Sequence, residues 1–236
     1  MPRAALWKAI ADTLLAEIAE GHYLPGDRLP TEAQLATRFG VNRHTVRHAV
    51  GSLTETGLLH ARRGAGVFVA ARPQIYPLSR RVRFHQNVAA SGRTPSRQIL
   101  RLETRPCDAY EAEALAVTKG CQVHVVEGLS LADGLAIAAF RSVFPADRLP
   151  GFLAEIERTN SITAALGACG VADYTRASTR LTATSARTTL ALQLRLSEGA
   201  PILRSVAVNH DLTGQPIEFG TTWFAGDRVE LTVSPE

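Results

Sequence analysis

Two helix-start signals close together, followed at once by a tight β-hairpin, constrain this chain more than any other feature. Thr31, with Gln34 three residues on, makes a capping box, and Leu35 and Phe39 supply an inward face as far as Gly40. Asn42 then caps a run from Arg43 to about Thr56, with Val46, Val50 and Leu53 on one stripe and Gly57 placed to end it. LLHA and VFVA, joined by RRGAG, are short β runs with hairpin punctuation. Upstream, Leu6, Ile10, Leu14 and Ile18, with Trp7 and Leu15 beside them, recur at helical spacing, which predicts a helix over residues 5–20 before Gly21 and the turn LPGDRLP. Helix, helix, short turn, helix, hairpin is the outline of a winged helix-turn-helix over residues 1–71.

Residues 72–83, RPQIYPLSRRVR, carry two prolines and little apolar periodicity, and read as a linker and hinge. From residue 84 to 236 the pattern changes. VHVVEGLSL, AIAAFRSVF, TRLTATSA, ILRSVAVNHDL, PIEFGTTWF and VELTV are strand-like, with ADG and LTGQ as hairpin turns. DAYEAEALAV, PGFLAEIERT, SITAALGACG and SARTTLALQLRL read as helices. Hairpins mixed with helices predict an α+β domain large enough to bury its own core.

Charge is unevenly spread. The chain has 236 residues and a net charge of +4. Residues 1–72 carry +3, the arginines of 73–83 add +3, and the remainder carries −2. The basic end is the one with the helix-turn-helix outline, which points to a polyanion as its partner. No run reaches the ~18 apolar residues of a membrane span, and the N-terminal segment lacks a signal-peptide core, so a cytoplasmic location is expected. Cys107, Cys121 and Cys169 are odd in number and scattered, which predicts neither a disulfide framework nor a zinc site.

A helix that reads DNA presents its N-terminal outward side chains to base edges while its other face packs on the scaffold. Past Asn42 the positions outside the apolar stripe are Arg43, His44, Thr45, Arg47 and His48, with no acid among them. Arg43 and Arg47 stand one turn apart, roughly 6 Å along the axis. Arginine suits bidentate pairing with guanine, and threonine a phosphate or thymine methyl. Arg38 before the turn, and Arg62 and Arg63 at the wing, are placed to grip phosphates, while Gly64 and Gly66 let the wing tip approach a narrow groove. One such unit makes few contacts, so a homodimer on an inverted-repeat duplex operator is expected.

The run LPGDRLPTEAQLATRFGVNRHTVRHAVGSLTETGLLHARRGAGVFV resembles the DNA-binding domain of the GntR family of bacterial transcription regulators. That resemblance implies DNA contacts by Arg38, Arg43, Thr45 and Arg47, with Gly66 at the wing tip; His44 stands where a small or polar residue is common. The rest of the chain resembles the HutC-type subfamily, whose effector domain (UTRA) has the chorismate-lyase fold, a mostly antiparallel sheet with flanking helices. Within it, RPQIYPLSRRVRFHQNVAASGRTPS is similar to regulators of the PhnF type, which repress genes for phosphonate uptake and breakdown. Other branches of the subfamily govern amino-sugar or amino-acid catabolism.

Effectors of such domains are small, polar and often phosphorylated, so arginines and hydroxyls are the residues to look for. Residues 83–96 offer Arg83, His85, Asn87, Ser91, Arg93, Thr94 and Ser96 on a segment able either to wrap an anion or simply to face solvent. Arg141 interrupts the apolar run AIAAFRSVF and needs a partner; an acid such as Glu127 or Glu218 and a bound ligand are both open. The resemblance further implies pocket roles for Ser161, Thr163, Tyr174, Arg176 and Glu218. It fails at EGLSLADG, where Glu127 and Leu129 replace arginines of the sugar-phosphate-binding members. Arg83, Arg93, Arg141 and Arg176 are left to neutralise an anion.

A second class of function is a lyase-like enzyme, by analogy of fold alone. Against it, the chain has no HExxH, GxSxG, P-loop or GxGxxG and no close Cys/His pair, and His85, His124 and His210 stand alone. No cofactor or metal is expected.

Overall fold

The capping box at Thr31 forms as the sequence predicts: its backbone N–H donates to Gln34 Oε1 at 2.8 Å, and its Oγ1 accepts from Gln34 N at 3.3 Å. It opens α2 (Glu32–Phe39), which ends on left-handed Gly40. Asn42 Oδ1 accepts from Thr45 N at 2.9 Å and opens α3 (Arg43–Glu55). Such caps contribute about 1 kcal/mol each by satisfying orphan N–H groups. The computed structural model describes residues 3–62, 64–70, 73–81 and 83–233, which fall into two units, Met1–Arg72 and Pro73–Glu236.

In the first unit α1 (Arg3–Ala19) buries Ile10 and Leu14 against Leu35, Val46, Val50 and Leu53. Leu6, expected on the apolar stripe, and Leu15, expected beside it, are 40% and 47% exposed. The wing is the antiparallel pair β1 (Leu59–Arg62) and β2 (Gly66–Val69), with Arg62 opposite Gly66. Gly66 has φ +113°, and a Cβ there would meet Arg28 Nε at 2.7 Å. Glycine at this position therefore makes room for Arg28, a reason within the fold itself.

The second unit is built on one six-stranded antiparallel sheet in the order β4-β5-β6-β9-β8-β7. Its strands are β4 (Pro95–Pro106), β5 (Gln122–Ala132), β6 (Leu135–Pro145), β7 (Tyr174–Ser185), β8 (Pro201–Asp211) and β9 (Pro216–Ala225). The inner strands β5 and β6 are buried almost along their whole length, as strands covered on both faces are. They turn at Asp133 and Gly134, both with positive φ, which is the hairpin chemistry of an Asp-Gly pair. Around the sheet lie α4 (Phe84–Ala90), α5 (Ala109–Leu115), α6 (Phe152–Thr159), α7 (Ile162–Ala168) and α8 (Thr188–Leu194). Phe144 and Phe152, 4.5 Å apart between ring centroids, are fully buried beside Ile156 and Leu166. Among the described residues no helix is long and apolar enough to cross a membrane.

Three parts differ from the sequence reading. Residues 74–77, inside the expected linker, form β3 (Gln74–Pro77), which pairs in parallel with β10 (Val229–Thr232) in the second unit. Tyr76 is buried there against Phe224, so burial of an aromatic outweighs the two prolines. The segment expected to wrap an anion is largely the helix α4, anchored by buried Phe84 and Val88. Its Asn87 Nδ2 donates to Pro77 O at 3.2 Å, and Ser91 Oγ to Gln74 Oε1 at 2.9 Å, so two of its polar residues fasten β3. The strand β4 was not anticipated, because PSRQILRLETRP is polar at most positions.

Candidate nucleic-acid interface and ligand cavity

The apolar stripe of α3 leaves one face in solvent. Arg43, His44, Arg47 and His48 are exposed, while Thr45 is half-buried and donates its hydroxyl to Asn42 Oδ1 at 2.9 Å, adding to the cap. His48 stacks on Trp7 with ring centroids 4.3 Å apart. Arg47 makes a two-pronged pair with Glu32 at the start of α2, Nε to Oε1 at 3.0 Å and Nη2 to Oε2 at 2.7 Å. Arg38 makes another with Glu17 of α1, Nη1 reaching Oε2 at 3.0 Å and Nη2 bonded to Oε1. These hydrogen bonds hold the Glu32 and Glu17 carboxyls below their ordinary pKa. The Arg47 side chain is 65% exposed, where such contacts are worth less than about 1 kcal/mol, so a phosphate can compete for it, whereas Arg38 is held by a Glu17 side chain only 13% exposed. Arg43 and His44 have no side-chain hydrogen bond or ion pair among the described residues. The side chain of Arg62, and all of Arg63, lie outside the described residues.

A cavity of about 210 Å³ opens in the second unit between the sheet, α4 and the start of α7. Of the residues expected to bind an effector, Arg83, Ser161, Thr163, Tyr174, Arg176 and Glu218 all line it. Arg83 is committed within the protein: Nη2 donates to Asp173 Oδ1 at 2.7 Å and to Tyr174 O at 2.8 Å, and the guanidinium lies 3.6 Å from the Tyr174 ring centroid. Ser161 caps α7 by accepting from Ala164 N, and Thr163 bonds the Tyr174 hydroxyl at 2.9 Å. Glu218 is buried and accepts from Ser142 Oγ and Asn209 Nδ2, each at 2.6 Å. Burial pushes the Tyr174 hydroxyl up in pKa, so it stays protonated near neutral pH.

The most telling residue was missed in the sequence. Arg97, on β4, reaches the cavity with its guanidinium over Phe140 and Phe84, 5.0 and 5.4 Å from the ring centroids. Its Nε and that of Arg176 are buried and have no hydrogen-bond partner. Desolvation pulls both guanidiniums downward in pKa. The signal was present: Arg97 and Ile99 alternate with exposed Ser96 and Gln98, which puts Arg97 on the inward face of a strand.

Three expected ligands go elsewhere. Arg93 Nε and the Thr94 backbone N–H each hold the Asp133 carboxylate at 2.8 Å and brace the β5–β6 turn. Arg141 finds acids instead of a ligand: Glu111 Oε1 at 2.7 Å and Glu127 Oε1 at 3.3 Å. Among the described residues no cluster of His, Cys, Asp or Glu is arranged to hold a metal ion.

Residues 6–69 match the bacterial regulatory proteins of the gntR family, and residues 90–230 match the UTRA domain. An HTH-type transcriptional regulator of Rhizobium meliloti (strain 1021) is 37% identical over 230 residues, covering 97% of this chain and 94% of that protein. The probable transcriptional regulator PhnF of Escherichia coli (strain K12) is 33% identical over 228 residues, covering 96% and 94%. The crystal structure of PhnF from Mycobacterium smegmatis superposes with a TM-score of 0.64 at 24% identity, covering 100% of this chain and 99% of that one, and so shares its fold. Proteins of this family are transcription regulators and not enzymes, which sets aside the lyase-like reading. With a gntR helix-turn-helix unit followed by a UTRA unit, the chain belongs to the GntR family of transcription regulators, in its HutC-type, PhnF-like branch.

Proposed function

We propose that this protein is a repressor of phosphonate uptake and degradation genes, released from its operator by a small phosphonate or phosphorylated compound. In this reading Arg43, His44, Thr45 and Arg47 of α3 meet base edges and phosphates in the major groove. Arg38 and the wing, with Arg62, Arg63 and Gly66, hold the flanking backbone, and two copies of the chain bind an inverted repeat. The effector occupies the cavity of the second unit, and release follows if it binds the DNA-incompetent arrangement more tightly. The identity with PhnF supports the choice of pathway.

One observation carries the effector reading: two guanidiniums, Arg97 and Arg176, have orphaned Nε groups in one small cavity. Leaving charged donors unpaired away from water is costly, and an oxyanion placed between them supplies the missing acceptors. The test is a thermal-shift series with inorganic phosphate, ethylphosphonate and a sugar phosphate, followed by gel shifts on operator DNA. A ligand at 100 times its Kd adds about 2.7 kcal/mol to the stability of the unit that binds it. A rise in Tm together with loss of the DNA complex is expected. No shift with any of these anions overturns the effector reading.

A further inference from the structure

The cavity also holds a carboxylate. Glu218 is 8% exposed and lines the same space as Arg97 and Arg176. Its two oxygens each receive one hydrogen bond, both from neutral donors, Ser142 Oγ and Asn209 Nδ2. A carboxylate has about four acceptor sites, so capacity remains on the cavity side. Among the described residues no cation lies within 4.0 Å of it. Arg105, Arg141 and Arg83 are paired with Glu111, Glu127 and Asp173, and the positive charges that act on Glu218 across the cavity are those of Arg97 and Arg176, neither within ion-pair distance.

The register fixes how the charges are laid out. Arg176 on β7 pairs across to Asn209 on β8, and Asn209 to Glu218 on β9. The row runs cation, neutral amide, anion over two strand spacings, about 10 Å between the outer backbones. Asn209 spends its amide on Glu218, so it separates the two charges without neutralising either. The cavity of about 210 Å³ is open to solvent on one side and has room for a small ligand with a short spacer between its ends.

We infer that the effector is a zwitterion, a small aminoalkyl phosphonate or phosphate ester whose oxyanion lies between Arg97 and Arg176 and whose ammonium group is taken by Glu218. This rests on the anion-binding reading above and narrows it. A simple oxyanion leaves Glu218 buried and facing like charge, whereas an ammonium two or three bonds away supplies the cation the carboxylate lacks. The chain thereby separates amine-bearing ligands from inorganic phosphate, which offers Glu218 nothing.

Isothermal titration of the full chain with 2-aminoethylphosphonate, 2-hydroxyethylphosphonate, ethylphosphonate and inorganic phosphate tests it. The expected result is a Kd for the amine at least tenfold below those of the hydroxyl and ethyl compounds, which match it in size. In E218Q the amine-to-ethyl ratio falls to about threefold or less. Binding of ethylphosphonate or the hydroxyl compound as tight as the amine overturns the zwitterion while leaving the anion site standing. Failure of all four to bind overturns both. The comparison among ligands on the unaltered protein is independent of how E218Q folds.

Discussion

Arg47 on α3 and Glu32 at the first turn of α2 grip each other through both carboxylate oxygens, with 65% of the arginine side chain still in solvent. The pair fixes the guanidinium against the start of α2 without burying it. An arginine held in a planar fork has lost part of its rotamer freedom before it meets a partner.

Replacing Arg47 with alanine is expected to weaken specific operator binding by about 1–3 kcal/mol with the fold intact. A gel-shift titration at fixed salt, with circular dichroism as the folding control, checks this. Unchanged affinity removes Arg47 from the reading surface.

Removing the acid instead should act in the opposite sense on non-specific DNA. Glu32→Gln takes a negative charge from beside α3, so affinity for random duplex should rise several-fold while the ratio of specific to random binding narrows. Anisotropy titrations over a salt series measure both; a fall in random-sequence affinity would show that Glu32 only supports the helix.

Glu111 ties α5 to β4 and β6. Its side chain is 1% exposed and meets Arg105 Nη2 at 2.6 Å and Arg141 Nη2 at 2.7 Å. The hydrogen bonds from Arg105 hold its pKa at about 2, against 4.5 in the unfolded chain. A depressed carboxyl stabilises the folded state above its unfolded pKa, and that stability drains away as pH falls from about 4.5 towards 2. The contribution is roughly 3 kcal/mol. Urea melts of Glu111→Gln should show a loss of that order at pH 7 and a shallower decline between pH 5 and 2. Parallel pH curves for the two proteins contradict it.

Gly128 marks a close approach of two strands. A Cβ there would lie 2.5 Å from Gln98 O and 2.9 Å from Phe140 Cζ. Because the first of these is backbone, β4 has to move, and Gly128→Ala should cost about 1–3 kcal/mol in thermal unfolding. It should also loosen effector binding, since β4 carries Arg97. Wild-type stability in this variant would mean the edge strand yields freely.

What could be read from the sequence was local. Thr31, Gln34 and Asn42 act within three residues of themselves, and the Asp133–Gly134 turn needs only its own dihedrals, so caps and hairpins were legible. What escaped depends on partners far along the chain. β3 exists because Val229–Thr232 lies beside it, and nothing in QIYP announces that. Arg141 could be seen to need a partner, but Glu111, on the helix α5 thirty residues earlier, could not be singled out from sequence. Five of the expected effector residues lie on the cavity beside Arg83, and they came from family likeness; the polar run around Arg97 was passed over because edge strands keep one side wet.

The clasp of β3 on β10 has a mechanical meaning. Tyr76 is at once a wall of the ligand cavity and a member of the first strand after Arg72, only four residues past the boundary between the units. Four residues on each side hold that strand, outside the large sheet and joined to the far end of the chain. A molecule that displaced Tyr76 would therefore strain a four-residue pairing that the large sheet does not reinforce.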